Sequence, residues 1–142
     1  LEEGTLSLNG GTISGDGNFN SSVGSTLHLA GTIFFSGNGN FISRSQITGD
    51  AGLVKTGAGT LYLGGDSSYD GVTSIRGGEL VVGNTTGSAT GISRVQIRSG
   101  AKLSGHGSIG DEVTVAGGGS VSPGTTTGAA SPPSIDDGVV IN

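Results

Sequence analysis

The chain has 142 residues, of which 31 are glycine and none is cysteine, methionine or tryptophan. Its net charge of −5, from 6 basic and 11 acidic residues, argues against a nucleic acid or an anionic membrane surface as partner, because both need clustered cations. The absence of cysteine excludes a disulfide framework and thiolate metal sites. No apolar run approaches the roughly 18 residues of a membrane-spanning helix, so we expect no membrane insertion in this segment.

Short strands separated by turns are predicted along nearly the whole chain, and no helix is predicted. Glycine recurs every few residues, and each would cost about 1 kcal/mol in a helix interior. The segments between the turns alternate apolar and polar residues, as strands with one buried face do. In chain order the predicted strands are Thr5–Leu8, Thr12–Ser14, Thr26–Leu29, Thr32–Phe35, Phe41–Ser43, Leu53–Lys55, Thr60–Leu63, Val72–Ile75, Glu79–Val82, Arg94–Ile97, Lys102–Ser104, Val113–Val115, Ser120–Ser122 and Val139–Ile141.

One strand type recurs, in which a small residue precedes an apolar-x-apolar sequence. Its first apolar residues are Leu6, Leu27, Leu61, Leu80, Leu103 and Val121. Most of their spacings are about 20 residues, the length of one coil of a solenoid. The longer interval after Leu27 is expected to hold an extra or distorted turn. The sequence therefore predicts an all-β fold, a single parallel β-solenoid over residues 1–142 with about seven coils.

Alternate residues of each strand are expected to point inward and to stack on their equivalents in the neighbouring coils. Tyr62, Ser74 and Val81 are expected to point outward. The predicted structural core stack consists of Leu6, Leu8, Leu27, Leu29, Leu61, Leu63, Ile75, Leu80, Val82, Leu103 and Val121. Burying one such side chain contributes roughly 1.5–3 kcal/mol.

The two ends of the chain show no capping element. Residues 124–134 are predicted to be a loop from their Gly, Thr, Ser and Pro content, and a last strand follows. Uncapped coils expose strand edges and apolar interior. We therefore expect the segment to be part of a longer chain. Its expected partners are other coils of that chain, or identical copies stacked end to end.

Few side chains suggest chemistry. Lys55 is expected to be an outward or corner residue, and Tyr69 to pack over a coil corner. His28 lies between two leucines of a strand and is expected to face outward, while His106 lies in a glycine turn. No metal, cofactor or catalytic residue is predicted.

Carboxylates are the one route to an enzyme, because some polysaccharide-cleaving β-helices use acidic residues on one face. Two catalytic carboxylates must lie about 5–10 Å apart. Asp66 and Asp70 flank one turn, whereas Asp136 and Asp137 are adjacent and would point to opposite sides of a strand. Aspartate is common in turns for conformational reasons alone. A structural role is therefore preferred to catalysis.

Residues 53–82 resemble the passenger-associated repeat of bacterial autotransporters. The repeat reads Leu-x-Lys-x-Gly-x-Gly-Thr-Leu-x-Leu, then Tyr-x-Gly-x-Thr, then Gly-x-Leu-x-Val, and these residues stand at 53–63, 69–73 and 78–82. Ser67 and Ser68 replace the usual Asn-Thr, and Ile75 replaces a valine. The coils over residues 100–124 are similar to those that follow this repeat in the family.

The resemblance implies a right-handed parallel β-helix at the bacterial cell surface or outside the cell. It also implies a non-enzymatic segment, an adhesin stalk that helps the passenger fold during export across the outer membrane. Host or cell-surface glycans or proteins are further expected partners. Two alternatives stay open: a subunit of a self-assembling extracellular filament or matrix, and a carbohydrate-active β-helix enzyme.

Overall fold

The computed structural model describes residues 3–123, 134–135 and 139–141. Within these ranges every regular element is a strand. The strands are β1 Gly4–Ser14, β2 Phe19–Ser21, β3 Ser25–Ser36, β4 Asn40–Ser43, β5 Gln46–Gly49, β6 Leu53–Lys55, β7 Thr60–Leu63, β8 Thr73–Ile75, β9 Glu79–Val82, β10 Val95–Ile97, β11 Lys102–Gly105, β12 Ser108–Ile109, β13 Val113–Val115, β14 Ser120–Pro123, β15 Ser134–Ile135 and β16 Val139–Ile141. Among the described residues no helix exists that is long and apolar enough to cross a membrane.

All strand pairs are parallel, and each strand pairs with strands of the neighbouring turns. This is the predicted parallel β-solenoid, of the right-handed β-helix type. The sheet ordered β14-β11-β9-β7-β4-β2 has six strands, one for each turn, so the coil count is close to the predicted seven.

Three faces surround the interior. Face 1 contains the C-terminal halves of β1 and β3, followed by β6, β8, β10, β13 and β16. Face 2 is the sheet from β2 to β14. Face 3 begins with the N-terminal halves of β1 and β3 and continues through β5. It then runs through residues 68–70, whose amides donate to the carbonyls of Ile47 and Gly49.

Most predicted strands exist, with two informative differences. The paired predictions at 5–8 with 12–14 and at 26–29 with 32–35 are each one long bent strand, β1 and β3. Four short strands, β2, β5, β12 and β15, were not predicted. Most of the predicted loop 124–134 lies outside the described residues; Ser134 starts β15.

The core is a continuous column of apolar side chains along the solenoid axis. Its members reach nearly complete burial in the central turns, where Leu80, Val82 and Val95 are each 0% exposed. Phe35 and Phe41 pack edge to face at 5.4 Å between ring centroids where faces 1 and 2 meet. The alternation of inward and outward residues along each short strand is what builds this column.

Candidate folding template

The clearest repeated interior feature lies on face 2. Phe41, Leu61, Leu80 and Leu103 occupy the same register position of successive strands. None of the four is more than 3% exposed. Each turn therefore presents an apolar row onto which the next turn stacks.

The structure distributes the predicted core stack over all three faces, with Ile75 on face 1. Leu6 and Leu27 are in register with Ile47 on face 3, whereas the stack containing Leu61 and Leu80 continues toward the N terminus through Phe41 and Phe19 on face 2. The long interval after Leu27 is therefore a change of face and contains no extra turn. The same short motif serves both faces because its alternation carries no information about which face it will form.

Burial of the predicted stack also varies along the axis. The members of the predicted stack that are at most 2% exposed are Leu27, Leu29, Leu61, Leu63, Ile75, Leu80, Val82 and Leu103. Leu6 is 38% exposed, contrary to its prediction as an interior residue, and Leu8 and Val121 are only partly buried. β1 has a paired strand on one side only within the described residues, so Leu6 is covered by one neighbouring turn instead of two.

Lys55 is buried, which corrects its expected outward or corner position. It is 1% exposed and stands in register between Phe35 and Ile75, both interior residues. Its Nζ donates hydrogen bonds to the carbonyl oxygens of Thr56 at 2.5 Å and Gly57 at 3.0 Å. The lysine thus ties the end of β6 to the turn that follows it.

Burial lowers the pKa of Lys55 from its ordinary value of 10.5, because the charged amine has lost water. The amine also reaches the next turn of the solenoid. A Cβ placed on Gly78 would lie 2.9 Å from Nζ and 2.3 Å from the carbonyl oxygen of Gly59, and Gly78 has a φ of 67°. Lys55 and Gly78 therefore lie in close contact, and this contact packs the turn after β6 tightly against the turn after β8 in the next coil.

Tyr69 is, like Lys55, a residue of the repeat that places a polar group in the interior. It is 0% exposed, and its hydroxyl lies 2.5 Å from Oγ1 of Thr73, another buried residue of the motif. Burial raises the pKa of the Tyr69 phenol, an effect that the Thr73 hydrogen bond opposes. The Tyr69–Thr73 pair joins face 3 to β8. The tyrosine side chain lies inside the coil, beneath the corner between these two segments.

The outward residues of the repeat form a mixed surface. Tyr62 and Val81 are in register on face 2 and half-buried, and the Arg44 guanidinium lies 5.7 Å from the Tyr62 ring centroid. Tyr62 Oη donates to the Gly83 carbonyl at 3.3 Å. Ser74 faces outward on face 1, yet it is only 6% exposed, and its Oγ accepts a hydrogen bond from Arg76 Nε at 3.4 Å.

One ion pair is present among the described residues, on the outer edge of face 2. Lys102 Nζ lies 3.0 Å from Oε1 of Glu79, and the Ser104 hydroxyl donates to the same oxygen. The Ser104 hydrogen bond, with a smaller contribution from Lys102, lowers the pKa of Glu79. Both charged side chains are partly exposed, so the pair ties two coils together at the surface and adds little stability.

The two candidate carboxylates lie on one extended segment and point outward. Asp66 Oδ1 accepts from the Ser88 amide at 3.3 Å, and Asp70 Oδ1 accepts from the Ser93 hydroxyl at 3.3 Å. Both aspartates therefore brace loops of the next coil.

The histidines and potential metal ligands show no constellation. His28 is exposed, with Nδ1 3.2 Å from Oγ1 of Thr48, and His106 is exposed in its turn. Over the described part of the chain, no group of three or more His, Cys, Asp or Glu side chains could hold a metal ion.

Parts of the chain are similar to known proteins. Residues 53–82 match the family model of the Passenger-associated-transport-repeat. The chain is 39% identical over 66 residues to an extracellular serine protease of Serratia marcescens, a match covering 46% of this chain and 6% of that protein. It is 35% identical over 107 residues to the adhesin BmaC autotransporter of Brucella suis, covering 72% of this chain and 3% of that protein.

These matches confirm the predicted resemblance to an autotransporter passenger region that carries the transport repeat. In general terms they indicate a secreted or cell-surface segment. The chain spans only a small part of either relative, so their whole-protein activities do not follow from the matches. No solved structure matches the chain.

Proposed function

We propose that the chain is a non-catalytic stalk segment of a surface passenger and that its repeat coil is a folding template. The observation that supports this most strongly is the unbroken register of interior residues from turn to turn, with the residues of the repeat at its most buried part. The similarity to an adhesin autotransporter agrees with a role in display.

The template acts through two kinds of group. A formed coil offers a row of backbone N–H and C=O groups along each strand edge, and an apolar row such as Leu61 and Leu63 beside it. A neighbouring segment that adds to this edge gains hydrogen bonds and burial together, and it avoids the cost of nucleating alone. Lys55 and Tyr69 give the repeat coil internal hydrogen bonds that do not depend on a neighbour.

The test compares Leu80→Asp with Val81→Asp, two adjacent positions of β9 that face inward and outward. Leu80→Asp buries a carboxylate in the apolar column and is expected to cost more than about 4 kcal/mol and to abolish the cooperative melt. Val81→Asp is expected to keep the cooperative melt.

In a passenger that contains the segment, Leu80→Asp is expected to leave the coils next to it sensitive to protease, whereas Val81→Asp leaves them resistant. Resistant neighbouring coils beside an unfolded Leu80→Asp segment would contradict the template.

A second candidate function is self-assembly into an extracellular filament, in which β1 would pair with another copy of the chain. This strand is exposed over most of its length and pairs only with β3 among the described residues. A second copy could pair there by head-to-tail contact, which does not close and therefore propagates. The molecular mass, measured by light scattering over a concentration series, distinguishes the stalk from the filament. A constant monomer mass supports the stalk, and growth into rods supports the filament.

A further inference from the structure

Half of the basic residues of the chain are collected on one side of the solenoid, although they are scattered in the sequence. Arg76, Arg94 and Arg98 are all exposed at the outer surface of face 1. The Arg76 amide donates to the Lys55 carbonyl and the Arg98 amide to the Ile75 carbonyl, so the two arginines occupy equivalent positions of adjacent turns. Neighbouring strands lie about 4.8 Å apart, and this distance sets the spacing of their backbones.

Arg76 and Arg94 border a groove on face 1, here called the arginine groove, and Arg98 lies beside it, hydrogen-bonded to the groove residue Gln96. Its floor is the outward row Phe34, Val54, Ser74 and Gln96, which are in register. Arg76 and Arg94 line its two sides, and its volume is about 580 Å³. The groove runs across several turns along the solenoid axis, so it suits an extended ligand better than a compact one.

The guanidinium groups retain most of their hydrogen-bonding capacity. Arg76 Nε donates to Ser74 Oγ at 3.4 Å, and Arg98 Nη2 donates to Gln96 Oε1 at 3.3 Å. Both contacts are long and go to neutral oxygens, whereas a guanidinium has five N–H donors. Among the described residues no carboxylate lies within ion-pair distance of any of the three arginines.

The charges around the groove are unevenly distributed. Asp50 lines it on the side of Phe34, and Glu112, the residue before β13, accepts a hydrogen bond from Thr114 at 2.9 Å. Glu112 lies beside Arg94 in the next turn, so the excess positive charge over Ser74 and Gln96 comes from Arg76 and Arg98, in a molecule whose net charge is −5. Such a local field attracts an anionic ligand to this part of the groove.

We propose that the arginine groove binds an acidic polysaccharide with a carboxylate on each sugar, a polyuronate, running along the solenoid axis. Guanidinium pairs with carboxylate in a bidentate geometry, and arginines one turn apart suit carboxylates about one sugar apart. Gln96, which is half-buried, offers a hydrogen bond to a sugar hydroxyl. Phe34, which is 37% exposed, offers an apolar surface to a sugar ring.

The experiment measures binding of polygalacturonate to the whole chain by calorimetry at low salt, with neutral dextran as the polymer control. The double variant Arg76→Gln/Arg98→Gln is compared with Arg44→Gln, an exposed arginine on a different face. The double variant is expected to bind about tenfold or more weakly, since two charge-assisted pairs are lost, while Arg44→Gln stays within about twofold. All variants are expected to keep the wild-type circular dichroism spectrum, because the altered side chains are at the surface.

Three results would overturn the proposal. The first is no binding of polygalacturonate by the wild type. The second is equal weakening by Arg44→Gln and the double variant, which would show a response to net charge alone. The third is tighter binding of dextran sulfate with the same dependence on Arg76 and Arg98, which would assign the groove to sulfated polymers.

Discussion

At the scale of single residues, the repeat owes its character to polar side chains that lie inside the coil. Lys55 and Tyr69 are among the largest fully buried side chains of the described structure, and both satisfy their polar atoms locally. Their positions in the motif are visible in the sequence, but their direction is not. A lysine in a strand normally indicates the solvent side, and only the register with Phe35 and Ile75 reveals the inward orientation.

The buried amine of Lys55 predicts a pH dependence of stability. Its pKa is lowered in the folded state, so the unfolded chain binds more protons between the lowered value and 10.5, and the free energy of unfolding rises with pH in that window. Tyr69, with a raised pKa, acts in the opposite direction only above its ordinary value of 10.0.

Urea unfolding between about pH 7 and pH 10 is the measurement, and the wild type is expected to gain stability relative to Lys55→Met as pH rises. Lys102→Met, which removes an exposed lysine, is the matched control and is expected to follow the wild-type slope. Parallel curves for wild type and Lys55→Met would show that the amine is not buried in solution.

A second residue-scale prediction concerns the turn after β8. Gly78 and Gly100 have similar φ values of 67° and 77°, but a Cβ on Gly78 would meet the Gly59 carbonyl, whereas one on Gly100 would meet nothing within 4 Å. Alanine at Gly100 is expected to cost about 1 kcal/mol for the backbone conformation alone. Alanine at Gly78 is expected to cost about 2–3 kcal/mol more, because two backbones must move apart.

Chemical denaturation of the two alanine variants tests this difference. Equal destabilisation by Gly78→Ala and Gly100→Ala would mean that the close approach of the two coils is absent. The comparison isolates packing from conformation, since both glycines have left-handed backbones.

At the scale of the element, short strands were the most predictable feature of the chain. The strands at 53–55, 60–63, 79–82, 113–115 and 139–141 begin and end at the predicted residues. β5 and β12 are not predicted from the sequence, because the residues beside them are polar or glycine. These strands form through pairing with strands of other turns. Strand formation in a solenoid is decided as much by the adjacent coil as by local sequence.

The assignment of strands to faces could not be predicted from one strand at a time. Leu27 and Leu61 begin nearly identical segments, yet they belong to faces 3 and 2. The alternation fixes which residues of a strand share a side, and the corners fix which face the strand joins. The corners depend on contacts between turns, as the bend within β3 shows, because it occurs where β5 gives way to β6 as partner.

At the scale of the whole molecule, the coil period brings distant residues into rows. The period explains why arginines 22 positions apart, Arg76 and Arg98, become neighbours, and why a sequence with scattered cations has a basic groove. The coil length was visible in the sequence, but the exact number of residues in each turn varies. Rows of surface residues therefore emerge only from the register of the folded chain.

The central claim is that the coils of the repeat are the stable template of this solenoid. Native-state hydrogen exchange tests it most directly, because it measures the opening free energy of each strand. The slowest exchange is expected in β7, β9 and β11, whose inward apolar residues are at most 1% exposed, and faster exchange in β1, which is exposed along most of its length. Slowest exchange in β1 and β2, with weak protection across residues 53–82, would contradict it.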